Sequence, residues 1–535
     1  MNTLMTLDWM VVGAYFVVLL GIAWWVIRQK QDSPADYFLA GRHVGWFVVG
    51  ASIFASNIGS EHIVGLAGTG AKSGVVMGLY ELHSWLILLL GWVFVPFYLR
   101  SKVFTMPEFL ELRYSPKARW FLSLVALVGY VLTKVSVTVY AGAVVFQVLM
   151  GVDFWTGALI VVLLTGIYTV LGGLRAVVYT ESMQAILLIA GSVAVTAIGL
   201  VKIGGWANLR AVAGSEHLDL FLPANHPEFP WPGMVFAPPI VGLWYWCTDQ
   251  YIVQRALAAR NETQARRGAI FAAYLKLLPF FIFVIPGVIA YALAKSGQLE
   301  LSSADQAFPV MVKTLLPVGA RGLVVGGLLA ALMSSLAAVF NSCSTLFTID
   351  IYQKLRPQTP EKKLVTVGRI ATAVVVAFGV LWIPLMKLIS GELYHYLQSV
   401  QAYIAPPIAA VFLLGLFWKR VNGPGALTSL TGGFVLGMVR LAAELNKGSL
   451  GGWLYWLASL NFLYFAILLF VVCIVAMVVV SLLTAPPSEE KLRGLTYATT
   501  VAEDRAASRA SWNYKDVVLS LMVIVVLALT MVYFS

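Results

Sequence analysis

The strongest constraint in this sequence is a recurrence of apolar runs about 20 residues long, the length an α-helix needs to cross a hydrocarbon layer about 30 Å thick. Trp9 to Ile27 is the first. Measured this way, apolar segments fall at 8–28, 43–70, 74–98, 118–149, 154–171, 178–202, 231–252, 268–294, 318–350, 364–388, 395–418, 424–444, 458–484 and 514–534. They predict an all-α polytopic membrane protein with about 14 transmembrane helices. Composition agrees, with 60% hydrophobic and 11% charged residues, against about 25% charged in a soluble domain. The net charge of +11 could suggest nucleic acid, but the basic residues are spread through short loops and form no single patch, so they read as orientation signals. Cys247, Cys343 and Cys473 all lie in hydrophobic segments, which speaks for packing and against a disulfide framework. The N-terminus has neither a basic n-region nor a small-residue cleavage site, so 8–28 is expected to be a retained extra helix.

Basic loops such as "RQK", "RSK…RYSPKAR", "RALAARNETQARR", "QKLRPQTPEKK" and "WKR" alternate with loops poorer in Lys and Arg, such as "MGVDFW" and "HLDLFLPANHPEFPWPG". The positive-inside rule then places both termini outside the cytoplasm. The polar stretch 485–513 is expected to be a cytoplasmic linker to the last helix, and no stretch is long enough for a separate soluble domain.

Within this apolar background the stretch "ASNIGSEHIVGLAG", residues 55–68, is anomalous. Irregular backbone at membrane depth survives only where it faces protein or a watery cavity, and Asn, Gly and Ser disfavour helix. A second segment, "FAPPIVGLWYWCTDQ" at 236–250, carries Pro238, Pro239 and Gly242 five helices later. Two interrupted helices in corresponding positions of two halves point to a secondary transporter with inverted repeats and a midplane binding site. Ordinary proline kinks and small-residue packing contacts are the alternative for either segment alone.

The motifs "DYFLAGR", "SNIGSEHIVGLAGTGA", "LGWVFVPFYLR", "TMPEFLELRY", "LWYWCTDQYIVQRALAA", "YLKLLP", "LMSSLAAVFNSCSTLFTIDIY" and "PPIAAVFLLGLFWKRVNGPGA" resemble the sodium/solute symporter family, above all its sodium/glucose cotransporter branch. The resemblance runs from about residue 35 to 425. It implies a core of two inverted five-helix repeats, at 43–202 and 231–420, with broken first and sixth core helices and C-terminal helices over 424–535.

Sodium needs hard oxygen ligands, which freed carbonyls and hydroxyls supply. Ala331, Ser334 and Ser335 lie at i, i+3 and i+4 on one helix face, although membrane serines also back-bond to the preceding turn. The resemblance implies that the carbonyls of Ala55, Ile58 and Ala331 and the hydroxyls of Ser334 and Ser335 form the sodium site. A sugar site needs several polar donors and acceptors beside an aromatic plate. Glu81 and Lys276 are ionisable residues inside apolar segments, and His62, Ser84, Gln398 and Asn57 add mixed donors and acceptors. Helix–helix hydrogen bonds are the alternative role for the Gln and His, and a structural ion pair for Glu81 with Lys276. By resemblance these positions bind the sugar and Tyr245, beside Trp246 of the same set, stacks on it as the inner gate. The outer lid then includes Leu66, Tyr80 and Tyr394.

Four positions depart from the resembled pattern. Gly242 stands where relatives carry a hydroxyl or amide that touches sugar. Glu181 replaces an Asp with an expected role in ion release or gating. Ala337 and Ala338 replace the hydroxyls of a second sodium site, so one sodium per sugar is expected. The chain thus reads as a sodium-driven importer of a glucose- or galactose-type monosaccharide, multi-pass in the plasma (inner) membrane, working by alternating access. Its partners are sodium, the sugar and the bilayer, with no nucleic acid and no obligate protein partner evident. Alternatives are a sodium symporter for another solute, such as myo-inositol or another polyol, and a transport-inactive sugar sensor or leak channel. An enzyme is not expected, because no metal cluster, nucleophile triad or phosphate loop occurs in the sequence.

Overall fold

A computed structural model describes residues 4–29, 31–59, 61–386 and 393–535. Ser60 and the last two residues of the apolar segment 364–388 lie outside the described residues. Every element in the described residues is helical. The helices used below are α1 (Thr6–Ile27), α2 (Trp46–Asn57), α3 (61–73), α4 (84–101), α5 (116–150), α6 (Phe154–Ile203), α7 (Trp231–Cys247), α8 (Gln250–Leu257), α9 (Glu262–Lys295), α10 (Ala320–Leu355), α11 (Glu361–Met386), α12 (Leu393–Phe417), α13 (Gly423–Leu445), α14 (Phe462–Leu483) and α15 (Tyr514–Tyr533). Eleven helical runs among the described residues are long and apolar enough to cross a membrane.

That number differs from the fourteen expected crossings because of where the chain bends and breaks. The segments 154–171 and 178–202 form one 50-residue helical run, α6. A straight helix of that length would reach about 75 Å, more than twice the hydrocarbon layer. Gly173 divides it, with φ 54° and ψ −156°. The expected crossing 43–70 is interrupted: α2 ends at Asn57, Ile58 is extended (φ −83°, ψ 101°) and helix resumes at Glu61.

The second interruption lies ten residues beyond the prolines expected to cause it. α7 runs through Pro238, Pro239 and Gly242 and ends at Cys247. The break falls at Thr248 (φ −139°, ψ −10°) and Asp249 (φ −79°, ψ 129°), before α8. Proline fixes φ near the helical value, and a membrane helix tolerates the carbonyls it leaves unbonded where neighbours shield them. A third irregularity, at Leu82 and His83 between the short helix Gly78–Glu81 and α4, had no glycine or proline at the break to announce it.

The Ala320–Thr345 part of α10 is buried along nearly its whole length and packs against α6, while α1, α14 and α15 keep apolar faces turned outward. The linker 485–513 contains the exposed helix Ala502–Ala510, and Ser511 Oγ beyond it donates to Glu262 Oε1 of α9 at 3.0 Å.

The bend of α6 depends on Gly173 for two reasons: its φ is in the left-handed region, and a β-carbon there would lie 2.5 Å from the Tyr37 carbonyl oxygen. Gly173→Ala should therefore cost about 2 kcal/mol, read as a lower melting temperature in detergent. Gly13→Ala, where a β-carbon meets nothing within 4 Å, is the control; equal melting of the two variants would refute the argument.

Candidate functional site

The end of α2 releases backbone oxygens beside α10. The N–H of Gly59, which would have served Ala55 in a continuing helix, instead donates to His62 Nδ1 at 3.4 Å. Ser334 Oγ lies 3.0 Å from the carbonyl oxygens of both Ala55 and Ala331. Ser335 Oγ is buried and has no hydrogen-bond partner among the described residues. An unsatisfied buried hydroxyl costs about 1–3 kcal/mol, so this cluster is built to receive a group that accepts no hydrogen bond but takes oxygen ligands. A small hard cation fits that donor set. Ile58 is the extended residue that follows α2 at the break.

A cavity opens between α2, α3, α7, α9 and α12 beside this cluster. Lys276 Nζ donates to Glu81 Oε2 at 2.5 Å and to Asn57 Oδ1 at 2.8 Å. Asn57 Nδ2 donates to the Tyr245 hydroxyl at 2.9 Å, and that hydroxyl also bonds Tyr251. His62 Nε2 sits 3.6 Å from Glu81 Oε1. Because Nδ1 accepts from Gly59, the proton of a neutral His62 belongs on Nε2, pointing at the carboxylate. Lys276 Nζ lies 5.2 Å from the centre of the Trp246 ring. Carboxylate, ammonium, amides, imidazole and indole thus converge on one space, offering hydrogen-bond donors and acceptors beside an aromatic face.

Eight of the nine expected substrate residues line this cavity: Asn57, His62, Tyr80, Glu81, Tyr245, Trp246, Lys276 and Gln398. Ser84 does not; it is buried at the start of α4, its hydroxyl without a partner among the described residues. Leu66 is buried, Tyr80 is buried with no partner for its hydroxyl among the described residues, and the Tyr394 side chain lies outside the described residues. His83, Lys134 and Gln401 line the cavity although sequence reasoning passed over them. The signal that exposed Glu81 and Lys276, a polar residue in an apolar run, was equally present at Lys134. Gly242 also lines the cavity, and a β-carbon there would lie 2.4 Å from Leu86 Cδ1.

Glu181 is fully buried on α6 below α2. It accepts from Ser52 and from Ser56 at 3.0 Å, and pairs with Arg255 Nη2 of α8 at 2.8 Å. This joins the last turn of α2, next to the Ala55 carbonyl, to the fragment after the second break.

Two broken helices that meet beside a cluster of freed oxygens and a polar cavity define a secondary transporter. The chain belongs to the sodium:solute symporter family, whose model matches residues 37–433, and sodium is accordingly one of its transported partners. It is 39% identical to sodium/glucose cotransporter 1 of Oryctolagus cuniculus, over 92% of this chain and 81% of that protein. It is 38% identical to sodium/myo-inositol cotransporter 2 of Homo sapiens, over 92% of this chain and 78% of that one. Among solved structures it shares the fold of a Na+-coupled sialic acid symporter in its substrate-bound outward-open state, with a TM-score of 0.77 at 23% identity over 90% of this chain and 99% of the other. A nucleobase-cation-symport-1 family transporter aligns with a TM-score of 0.54 at 14% identity over 88% and 99% of the two chains.

Removing one member of the Glu81–Lys276 pair leaves a buried charge uncompensated, typically about 3–5 kcal/mol, whereas removing both costs far less. Glu81→Gln and Lys276→Gln alone should each lower thermal stability more than the double variant does. Additive losses would show that the two groups do not depend on each other.

Proposed function

We propose that this protein imports a neutral monosaccharide of the glucose or galactose type by sodium-driven symport, with one sodium moved per sugar. The observation that carries the reading is that one break borders both places. The Ala55 carbonyl lies against Ser334 of α10, and Asn57 and His62 of the same stretch line the central cavity. Sodium bound between Ala55, Ile58, Ala331, Ser334 and Ser335 fixes the break against α10. The sugar then meets Asn57 and His62 already ordered beside Glu81, Lys276 and Gln398. Two ligands that order one element raise each other's affinity reciprocally. Trp246 and Tyr245 close the cavity from below as plate and inner gate, and Leu66, Tyr80 and Tyr394 form the outer lid. Arg255–Glu181 holds the break on the inner side and controls ion release. Ala337 and Ala338, both fully buried, offer no side-chain oxygen to a second ion, which supports the single sodium.

In this reading 43–202 and 231–420 are the two inverted repeats, the basic loops face the cytoplasm of a cell whose plasma (inner) membrane holds the protein, and both termini face outward. The names of the relatives support a sugar or a cyclic polyol as solute.

Uptake of labelled glucose, galactose and myo-inositol into proteoliposomes, with and without an inward sodium gradient, tests the proposal. Glucose or galactose should accumulate only with the gradient, and the reversal potential should give one sodium per sugar. Ser335→Ala should abolish the sodium stimulation. Gln398→Ala should weaken sugar binding about ten-fold, the loss of one hydrogen bond of roughly 1.4 kcal/mol. A coupling ratio of two, or gradient-independent leak of sugar, would refute the mechanism; accumulation of myo-inositol alone would replace the solute.

A further inference from the structure

Beside the central cavity lies a second one, between α5, α12 and the break that joins α7 to α8. Lys134 and Gln401 line both cavities, so the two adjoin at these side chains. At its far end the lower cavity is lined by Met106 and Pro107, within the Arg- and Lys-rich segment 100–119. It therefore extends from the central site toward the face that carries the basic loops.

The walls are mostly apolar, but the upper end repeats the chemistry of the central cavity group for group. Glu81, Lys276, Gln398 and Trp246 above correspond to Asp249, Lys134, Gln401 and Trp244 below. The parallel has a simple origin in the chain: Gln398 and Gln401 are three residues apart on α12, and Trp244 and Trp246 are two apart on α7. Asp249 is buried. Its Oδ1 accepts from the Tyr130 hydroxyl, and its Oδ2 has no partner among the described residues. Lys134 Nζ lies 3.9 Å from Glu61 Oε1 and 5.0 Å and 5.3 Å from the ring centres of Tyr245 and Tyr251.

A buried carboxylate oxygen without a donor asks for a hydroxyl or amide hydrogen. The ammonium at the same end disfavours a sodium ion on Asp249, and the carboxylate disfavours an anion. A neutral molecule rich in hydroxyls satisfies both, with the Trp244 indole available to an apolar ring face. We propose that this chamber is a second, inward binding site for the transported sugar, reached from the central cavity past Tyr245 and Lys134. The inference rests on the reading of the central cavity as the sugar site. Functionally, the chamber holds the solute once Tyr245 has moved aside, so that release proceeds in two steps.

Binding stoichiometry tests it directly. The purified full-length protein, titrated with tritiated glucose in saturating sodium, should bind two sugars per chain. Asp249→Asn should bind one. Gly129 lines the chamber, and a β-carbon there meets nothing within 4 Å. Gly129→Leu therefore adds bulk to the chamber wall without a clash at Cβ and leaves the Asp249 side chain itself unchanged. It too should bind one sugar, with the affinity of the remaining site unchanged and the transport rate lowered at least several-fold. One sugar per native chain at saturation overturns the inner site whatever the variants do, while sodium-driven uptake by that same protein leaves the central reading standing. Two sugars in native protein and both variants also overturns it. A native protein that binds no glucose takes both readings down together.

Discussion

A carbonyl oxygen released from a helix in the middle of a membrane finds no water to bond, and much of the arrangement here follows from how Ala55 meets that constraint. Its former partner, the Gly59 N–H, turns to His62, and Ser334 on α10 fills the vacated place. The exchange ties the broken helix to the most buried helix of the bundle. It also fixes the tautomer and direction of His62, and it leaves Asn57 at the last turn of α2, where it bridges Lys276 and Tyr245. Backbone satisfaction at the break and the placing of Asn57 and His62 in the central cavity are thus linked through Ala55, Gly59 and Ser334.

Buried charge is the second determinant. Glu81–Lys276 and Glu181–Arg255 are both deep in the protein, but they differ in surroundings. Glu81–Lys276 borders a cavity and keeps hydrogen bonds to groups that a ligand can reach, so a neutral solute can exchange for internal contacts without stranding a charge. Glu181–Arg255 is sealed by Ser52, Ser56 and the Tyr251 carbonyl, and links three elements. The first arrangement suits recognition, the second suits holding two broken helices in register.

Most of the site was legible because lipid makes polar residues conspicuous. Glu81, Lys276, His62 and Gln398 stood out against apolar runs, and the structure brings all four to one cavity. Lys134 and Gln401 met the same criterion and were missed, since an apolar run shows a polar residue without showing which cavity it faces. Ser84 was expected among the cavity residues and is buried away from them, because one step along a helix turns a side chain by about 100°. Pro238 and Pro239 drew attention from the real break: residue identity signals a possible kink, but the neighbours that shield a freed carbonyl decide whether it happens.

The sequence by itself determined the membrane-spanning all-helical class, the family, the position of the first break and most of the polar set, since these depend on hydropathy, local propensity and ordered motifs within a segment. Tertiary structure alone decided that α6 is divided at Gly173, that the second break falls at Thr248 and Asp249, and that Leu86 lies against Gly242. It also decided that Asp249, Lys134, Gln401 and Trp244 share a chamber. Each of those outcomes depends on which distant helix lies within about 4 Å of a given atom, and that information is distributed over segments hundreds of residues apart.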